Sequence, residues 1–167
     1  MRRSTALCAA LIMLAALSGC GLRPVYAGGA GGALAQGLNA IEVAPIQGRE
    51  GFLVRSALND RLGHGGAAVS NPQYRLDVLL DDQLEGLGLL TDDTIGRERR
   101  TLRARYQLVD LASGEILLDA TAGSDAGIDV VSSEFATIAA EQTALENLAQ
   151  QVADRIVSRL TLTLTQR

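Results

Sequence analysis

Arginine is the residue type whose spacing suggests the first chemistry in this chain. Four arginines alternate with apolar residues, so a β-strand would place all four guanidinium groups on one face: Arg97, Arg99, Arg103 and Arg105. Side chains two residues apart on a strand are about 6.6 Å apart. A guanidinium group binds a phosphate through two parallel hydrogen bonds. This arginine ladder therefore predicts a surface that can contact a phosphorylated ligand.

The acidic residues of the neighbouring segments support a different interpretation of the ladder. Opposite-charge pairs across two strands contribute roughly 0.2–1 kcal/mol each. If the three segments form a meander, six carboxylates share the face of the ladder: Asp77, Asp81, Glu85, Glu115, Asp119 and Asp125. The ladder would then be a neutralised, solvated face that needs no ligand, and the sequence leaves both interpretations open.

Cys20 is the second residue with a chemistry of its own. A basic pair at residues 2–3 precedes an apolar run over residues 6–17, which is too short to remain as a membrane-spanning helix. Small residues stand directly before Cys20, and the whole pattern predicts a signal peptide over residues 1–19. It resembles a bacterial lipoprotein signal, which implies acylation of the Cys20 sulfur and cleavage just before it. The alternative is an ordinary secretory signal in which the cysteine is incidental.

The rest of the chain has few groups for catalysis or metal binding. Cys8 lies in the predicted signal peptide, so the mature protein would have no second cysteine for a disulfide bond. His64 is the only histidine, which leaves no metal-ligand cluster and no nucleophile–base pair. Asp81 and Asp82 are adjacent on a strand and point to opposite faces, and the acids at 92–93 lie in a predicted loop. We therefore expect no enzyme activity.

Net charge argues against a nucleic-acid partner. Without the basic pair of the signal peptide, 13 basic and 19 acidic side chains remain, which gives a net charge of −6. A nucleic-acid-binding domain is expected to be basic.

The hydrophobic periodicity predicts the elements that position these residues. Residues 27–37 are rich in glycine and uncharged, which is typical of a flexible tether, so we assign 20–38 to a lipidated N-terminus and linker and 39–167 to a single domain. Within that domain the patterns predict strands over 39–46, 73–85, 97–111 and 115–125, with helices over 50–64 and from Ser132 or Ser133 to Leu160. Beyond Leu160 we expect the helix to fray or become extended.

These elements predict an α+β fold of order β-α-β-β-β-α. A four-stranded, mainly antiparallel sheet would carry two helices on one face and leave the other face polar. The connection over residues 86–96 is long for a hairpin and rich in leucine. Its Leu87, Leu89 and Leu90 could insert into a partner or a membrane edge, or the loop could fold back over its own core.

A resemblance to a known family starts at Cys20. The seven residues CGLRPVY, from Cys20 to Tyr26, resemble the start of the lipopolysaccharide-assembly lipoprotein family LptE, especially its alphaproteobacterial members. The predicted order of elements is similar too. The resemblance implies an outer-membrane lipoprotein with no cofactor beyond its lipid. Such a protein plugs the LptD β-barrel, helps it assemble and helps deliver lipopolysaccharide to the outer leaflet.

The resemblance gives the candidate residues their expected roles. The arginine ladder becomes a candidate contact to lipopolysaccharide or to the barrel, while Arg23 and Tyr26 either dock on the barrel or only order the start of the linker. Gly21 after Cys20 resembles outer-membrane sorting in lipoproteins of enterobacterial type. The alternative function is an accessory lipoprotein of a phospholipid-trafficking ABC transport system, which would share the lipid anchor and a mixed α/β domain.

Overall fold

The computed structural model describes residues 32–65, 67–89 and 95–166. In chain order these residues form α1 (Ala33–Asn39), β1 (Ile41–Val43), α2 (Gly48–Arg61), β2 (Tyr74–Leu89), β3 (Ile95–Asp110), β4 (Ile116–Asp129) and α3 (Glu134–Thr165). The predicted α+β class and its β-α-β-β-β-α core are confirmed. The predicted signal peptide, Cys20, Arg23 and Tyr26 lie outside the described residues.

The strands form one sheet in the order β1-β2-β3-β4. β1 lies parallel to β2, with Ile41 opposite Tyr74, and α2 makes the crossover between them. β2, β3 and β4 pair antiparallel, as the alternating patterns predicted. The tight turn between β3 and β4 contains Gly114, whose φ of 74° is a conformation that glycine adopts without steric cost.

The core lies between one face of the sheet and the helices. Alternate residues of β3 are almost completely buried, among them Leu102 and Leu108. α2 contributes Val54 and Leu58, and α3 contributes a stripe that continues to Leu160. Aliphatic side chains of this kind stabilise a fold by about 25 cal/mol for each Å² of apolar surface they bury.

α3 is longer than its sequence pattern predicted. It remains helical through Thr165, so the expectation of an extended or frayed tail after Leu160 is wrong. Leu160 and Thr161 are buried, and Leu164 packs against the core. The hydroxyl groups of Thr161 and Thr165 donate hydrogen bonds of 2.8 and 2.7 Å to carbonyl groups four residues earlier. Tertiary packing and these bonds outweigh the alternating Thr-Leu pattern.

α1 corrects the predicted extent of the linker. Residues 33–39 form a short helix where a flexible tether was expected up to residue 38. Leu38 is buried, and Leu34, four residues earlier, packs against the same core. A β-carbon at Gly37 would lie 3.6 Å from Cδ1 of Leu164, so α1 lies against the C-terminal end of α3.

The predicted contact loop over residues 86–96 is mostly strand. Gly86 pairs with Glu98, Leu87 with Arg97 and Leu89 with Ile95, so the β2–β3 ladder continues almost to the end of the hairpin. The length of this segment indicated a loop, but the two strands extend through most of it and pair with each other. Leu90 lies outside the described residues. None of the helices in the described part of the chain has both the length and the apolar content required to cross a membrane.

Candidate functional site

The arginine ladder lies on the face of the sheet that points away from the helices, which we call the outer face. Register and burial place all four ladder arginines there, because the intervening residues of β3 point toward the core. The outer face also carries Leu79, whose side chain is 73% exposed. Asp81 faces outward beside it, whereas Asp82 faces the helices, as their adjacency predicted.

Two arginines of the ladder are held by carboxylates of β4. Arg97 forms a salt bridge of 3.1 Å with Asp129, directly opposite it. Arg105 forms one of 3.1 Å with Asp119, which also accepts a hydrogen bond of 2.8 Å from Gln107. Hydrogen bonds from Arg105 and then Gln107 lower the pKa of the Asp119 carboxyl below its ordinary value. These two arginines therefore fit the second interpretation, in which carboxylates of the neighbouring strands neutralise the ladder.

The other two arginines of the ladder differ. Among the described residues, Arg99 and Arg103 form no salt bridge. In β4, glycine stands opposite each of them: Gly127 opposite Arg99 and Gly123 opposite Arg103. Across β2 they face Glu85 and Asp81, but no ion pair closes on that side either. The outer face thus keeps two guanidinium groups available for a ligand.

A groove opens on the outer face beside Arg103. Its volume is about 340 Å³. A β-carbon at residue 123 would lie 3.2 Å from Cγ of Arg103, so glycine at this position leaves room for the stem of the arginine. The groove is lined by side chains of both characters, including Leu79, Asp81, Arg103, Arg105 and Thr121. An apolar side chain next to guanidinium groups suits a ligand that has an anionic head and an apolar part.

Three leucines of the predicted loop were expected to make contacts. Among the described side chains, one of them lies on the outer face. Leu87 stands opposite Arg97 and is half-buried. Leu89 belongs to β2 and pairs with Ile95 near the end of the hairpin. The apolar part of the outer face therefore includes Leu79 and Leu87, which lie eight residues apart on β2.

The helix-facing side of the sheet holds an ion pair that the sequence analysis did not identify. Nη2 of Arg100 lies 2.6 Å from Oδ2 of Asp82, and each side chain is only 16% exposed. Nη1 of Arg100 donates to the carbonyl oxygen of Glu141 in α3 at 3.1 Å. The Asp82 hydrogen bond, more than the charge of the same carboxylate, raises the pKa of the Arg100 guanidinium. This pair fastens α3 to the hairpin.

A sequence signal for this pair was present. Asp82 interrupts the apolar alternation of Leu76, Val78, Leu80 and Leu84, and Arg100 interrupts that of Leu102 and Ala104. Two opposite charges on the apolar faces of paired strands indicate an internal ion pair.

Replacing Asp82 with alanine should destabilise the domain by about 2–3 kcal/mol, because Arg100 would keep its charge in a poorly solvated position. Urea unfolding of the single variant measures this loss. The double variant Asp82→Leu with Arg100→Leu removes both charges and should regain most of the stability. Equal losses in the single and double variants would contradict a coupled pair.

A metal site finds no support in the described residues, where no group of three or more His, Cys, Asp or Glu side chains comes together. The His64 ring contacts Asn59, with Nδ1 at 3.3 Å from Oδ1. The chemistry of the described residues is therefore that of charged and apolar surfaces.

The comparison with protein families decides the identity of the domain. A family model described as LptE, lipopolysaccharide-assembly, matches residues 38–160. The chain belongs to the LptE family. The matched region runs from the end of α1 almost to the end of α3, so that it contains the whole sheet of this LptE domain. No curated protein matches the chain at a significant level.

Solved structures share the fold of this LptE domain. A lipoprotein candidate from Caulobacter crescentus is 25% identical with a TM-score of 0.68, over 80% of this chain and 97% of that one. The rare lipoprotein B from Shewanella oneidensis is 13% identical with a TM-score of 0.54, over 75% of this chain and 95% of that one. Lipoprotein B from Nitrosomonas europaea is 14% identical with a TM-score of 0.54, over 73% and 85%. At these identities the last two show the fold alone.

Proposed function

We propose that the protein is an outer-membrane lipoprotein, anchored by acylated Cys20, that plugs an LptD-type β-barrel and assists delivery of lipopolysaccharide to the outer leaflet. Membership of the lipopolysaccharide-assembly family is the observation that carries this proposal. The role is one of binding and assembly, without catalysis and without a cofactor other than the covalent lipid.

The form of the domain is consistent with a plug. The hairpin of β2 and β3 is about 50 Å long at 3.3 Å per residue, and α3 runs along it. A rod of this kind, charged on its outer face, suits the polar interior of a large membrane barrel. The segment from residue 20 to residue 31 reaches at most about 40 Å, which allows the domain to stand away from the lipid surface that holds Cys20.

Lipopolysaccharide contact is proposed for the outer face, at Arg99, Arg103 and the groove beside Leu79. The phosphates of lipid A require cationic partners, and these two guanidinium groups form no salt bridge within the part of the chain that the structure describes. They lie four residues apart, about 13 Å along the strand, so one extended anionic ligand can contact both. Arg97 and Arg105 contribute to the positive potential while their salt bridges orient them.

Co-purification from outer membranes tests the proposal. Full-length protein carrying a C-terminal tag is extracted in mild detergent, and the proteins bound to it are identified by mass spectrometry. We expect a large β-barrel that migrates differently before and after heating. An inner-membrane transporter complex in its place would contradict the proposal and support the phospholipid-trafficking alternative.

A further inference from the structure

The first two turns of α3 expose large apolar side chains. Further along the helix, the residues on the same side of α3 are buried. Phe135 is 89% exposed and Ile138 is 50% exposed. Eighteen residues make five complete turns of an α-helix, so these two residues lie directly above Ala153 and Ile156, about 27 Å along the helix. Ala153 and Ile156 are completely buried. The apolar side of α3 thus continues past the point where it is covered.

The length of α2 explains the difference. α2 has 14 residues against 32 in α3, and both pack on the same face of the sheet. Arg100 bonds the carbonyl oxygen of Glu141. Arg61 in the last turn of α2 forms a salt bridge with Asp154 of α3. Gly48, where α2 begins, precedes Arg61 by as many residues as Glu141 precedes Asp154, so the start of α2 lies near the level of Glu141. Residues 134–140 of α3 lie beyond it.

The sheet adds a further exposed side chain at this level. Leu84 stands opposite Arg100, faces the helices and is still 45% exposed. Val131, just before α3, is 50% exposed. We call the four side chains Leu84, Val131, Phe135 and Ile138 the upper apolar surface.

Acidic groups border the upper apolar surface. Oε2 of Glu98 is buried and has no hydrogen-bond partner among the described residues. Glu98 lies two residues further along the hairpin than Arg100 and on the same side of β3. Glu134 is exposed in the first turn of α3. A partner that covers this surface should therefore bring a cation or hydrogen-bond donor together with its apolar side chain.

The charge of the surface argues against the anchoring membrane as its occupant. Glu98 and Glu134 are acidic, and a bilayer surface that carries anionic lipids repels such groups. A second copy is disfavoured as well, because a two-fold contact would bring Glu98 and Glu134 close to their own equivalents. These two exclusions leave another polypeptide.

We propose that the upper apolar surface is a docking site for a segment of the barrel partner that presents an apolar side chain next to an arginine or lysine. The inference rests on the proposed function, since it assigns a surface to that complex. Four side chains make a small patch, so it acts as a local hot spot within a larger interface.

A pair of serine variants tests the docking site. Phe135→Ser with Ile138→Ser changes only side chains that are at least half exposed, so the thermal midpoint should stay close to that of the wild type. The matched control is Phe52→Ser with Leu162→Ser, which removes the same kind of exposed apolar side chains at 71% and 52% exposure elsewhere. Affinity for the purified barrel should fall about tenfold or more in the first variant and remain unchanged in the control.

A photo-crosslinking amino acid provides the second measurement. Placed at residue 135 it should crosslink to the barrel, and placed at residue 52 it should not. Equal barrel affinity of the two serine variants, or crosslinks from residue 135 to a second copy or to lipid, would overturn the docking site. If wild-type protein binds no barrel at all, the proposed function itself fails, which is a separate result.

Discussion

Replacing Cys20 with serine should abolish lipid attachment completely. The serine hydroxyl does not substitute for the thiol in acylation, so the variant would incorporate no radiolabelled palmitate and would not reach the outer membrane. Two or more acyl chains hold a protein firmly to a bilayer, whereas one gives only marginal binding. The expected change is therefore all-or-none, and it is measured by palmitate labelling and membrane fractionation of intact cells.

Cys8 offers a matched control for this experiment. It is the only other cysteine and lies within the predicted signal peptide. Cys8→Ser should leave labelling and fractionation unchanged. Retention of the label in the Cys20 variant, or its loss in the Cys8 variant, would contradict the assignment of Cys20 as the lipid carrier.

Replacing Arg99 and Arg103 with glutamine should weaken lipopolysaccharide binding by about a hundredfold or more. Each guanidinium group that donates to a phosphate contributes roughly 1.5–3 kcal/mol, and 1.4 kcal/mol corresponds to a factor of ten in affinity. Glutamine keeps a polar, hydrogen-bonding side chain and introduces no new charge. Binding of purified lipopolysaccharide to the detergent-solubilised protein measures the effect.

The control for the arginine variant must carry the same change in net charge. Arg49→Gln with Arg159→Gln meets this condition, since both residues are exposed on the helices, away from the outer face. We expect little change in binding for this control. Equal loss in both variants would indicate a general charge effect. Unchanged binding in the Arg99 and Arg103 variant would contradict the proposal that lipopolysaccharide binds to the outer face.

Local periodicity was sufficient to predict most of the fold. Alternation over Leu102 to Leu108 gave the buried side of β3, and four-residue spacing of Val54 and Leu58 gave the buried side of α2. Each pattern identifies the buried face of a single strand or helix, and a short window of sequence is enough to show it. The parallel pairing of β1 with β2 followed from the crossover helix between them.

The differences arose where distant contacts decide the structure. α1 is short and rich in glycine and alanine, and it is helical where Leu38 meets the core. The alternating tail of α3 is helical because Leu160 and Leu164 pack against distant residues. In both segments tertiary packing outweighs the local pattern, which is the usual limit of propensity arguments.

The candidate site was also predictable in part: its shared face follows from local sequence, but its pairing depends on contacts between strands. The sequence predicted that four arginines share one face, because a strand alternates. Which of them are paired depends on the register with β4, where Asp129 stands opposite Arg97 but glycine stands opposite Arg99 and Arg103. A shift of two residues would place Asp129 opposite Arg99 and Asp125 opposite Arg103. The sequence alone therefore left two interpretations. The salt bridges support the paired face for Arg97 and Arg105, whereas ligand contact by Arg99 and Arg103 stays a prediction.

Depletion of the protein from growing cells tests the central claim most directly. Folded barrel is measured in the outer membrane by its heat-dependent migration, and lipopolysaccharide at the cell surface is measured in the same cells. A plug that assembles the barrel predicts that both decrease together and that re-expression restores both. Normal folded barrel and normal surface lipopolysaccharide in depleted cells, together with altered phospholipid distribution, would contradict it.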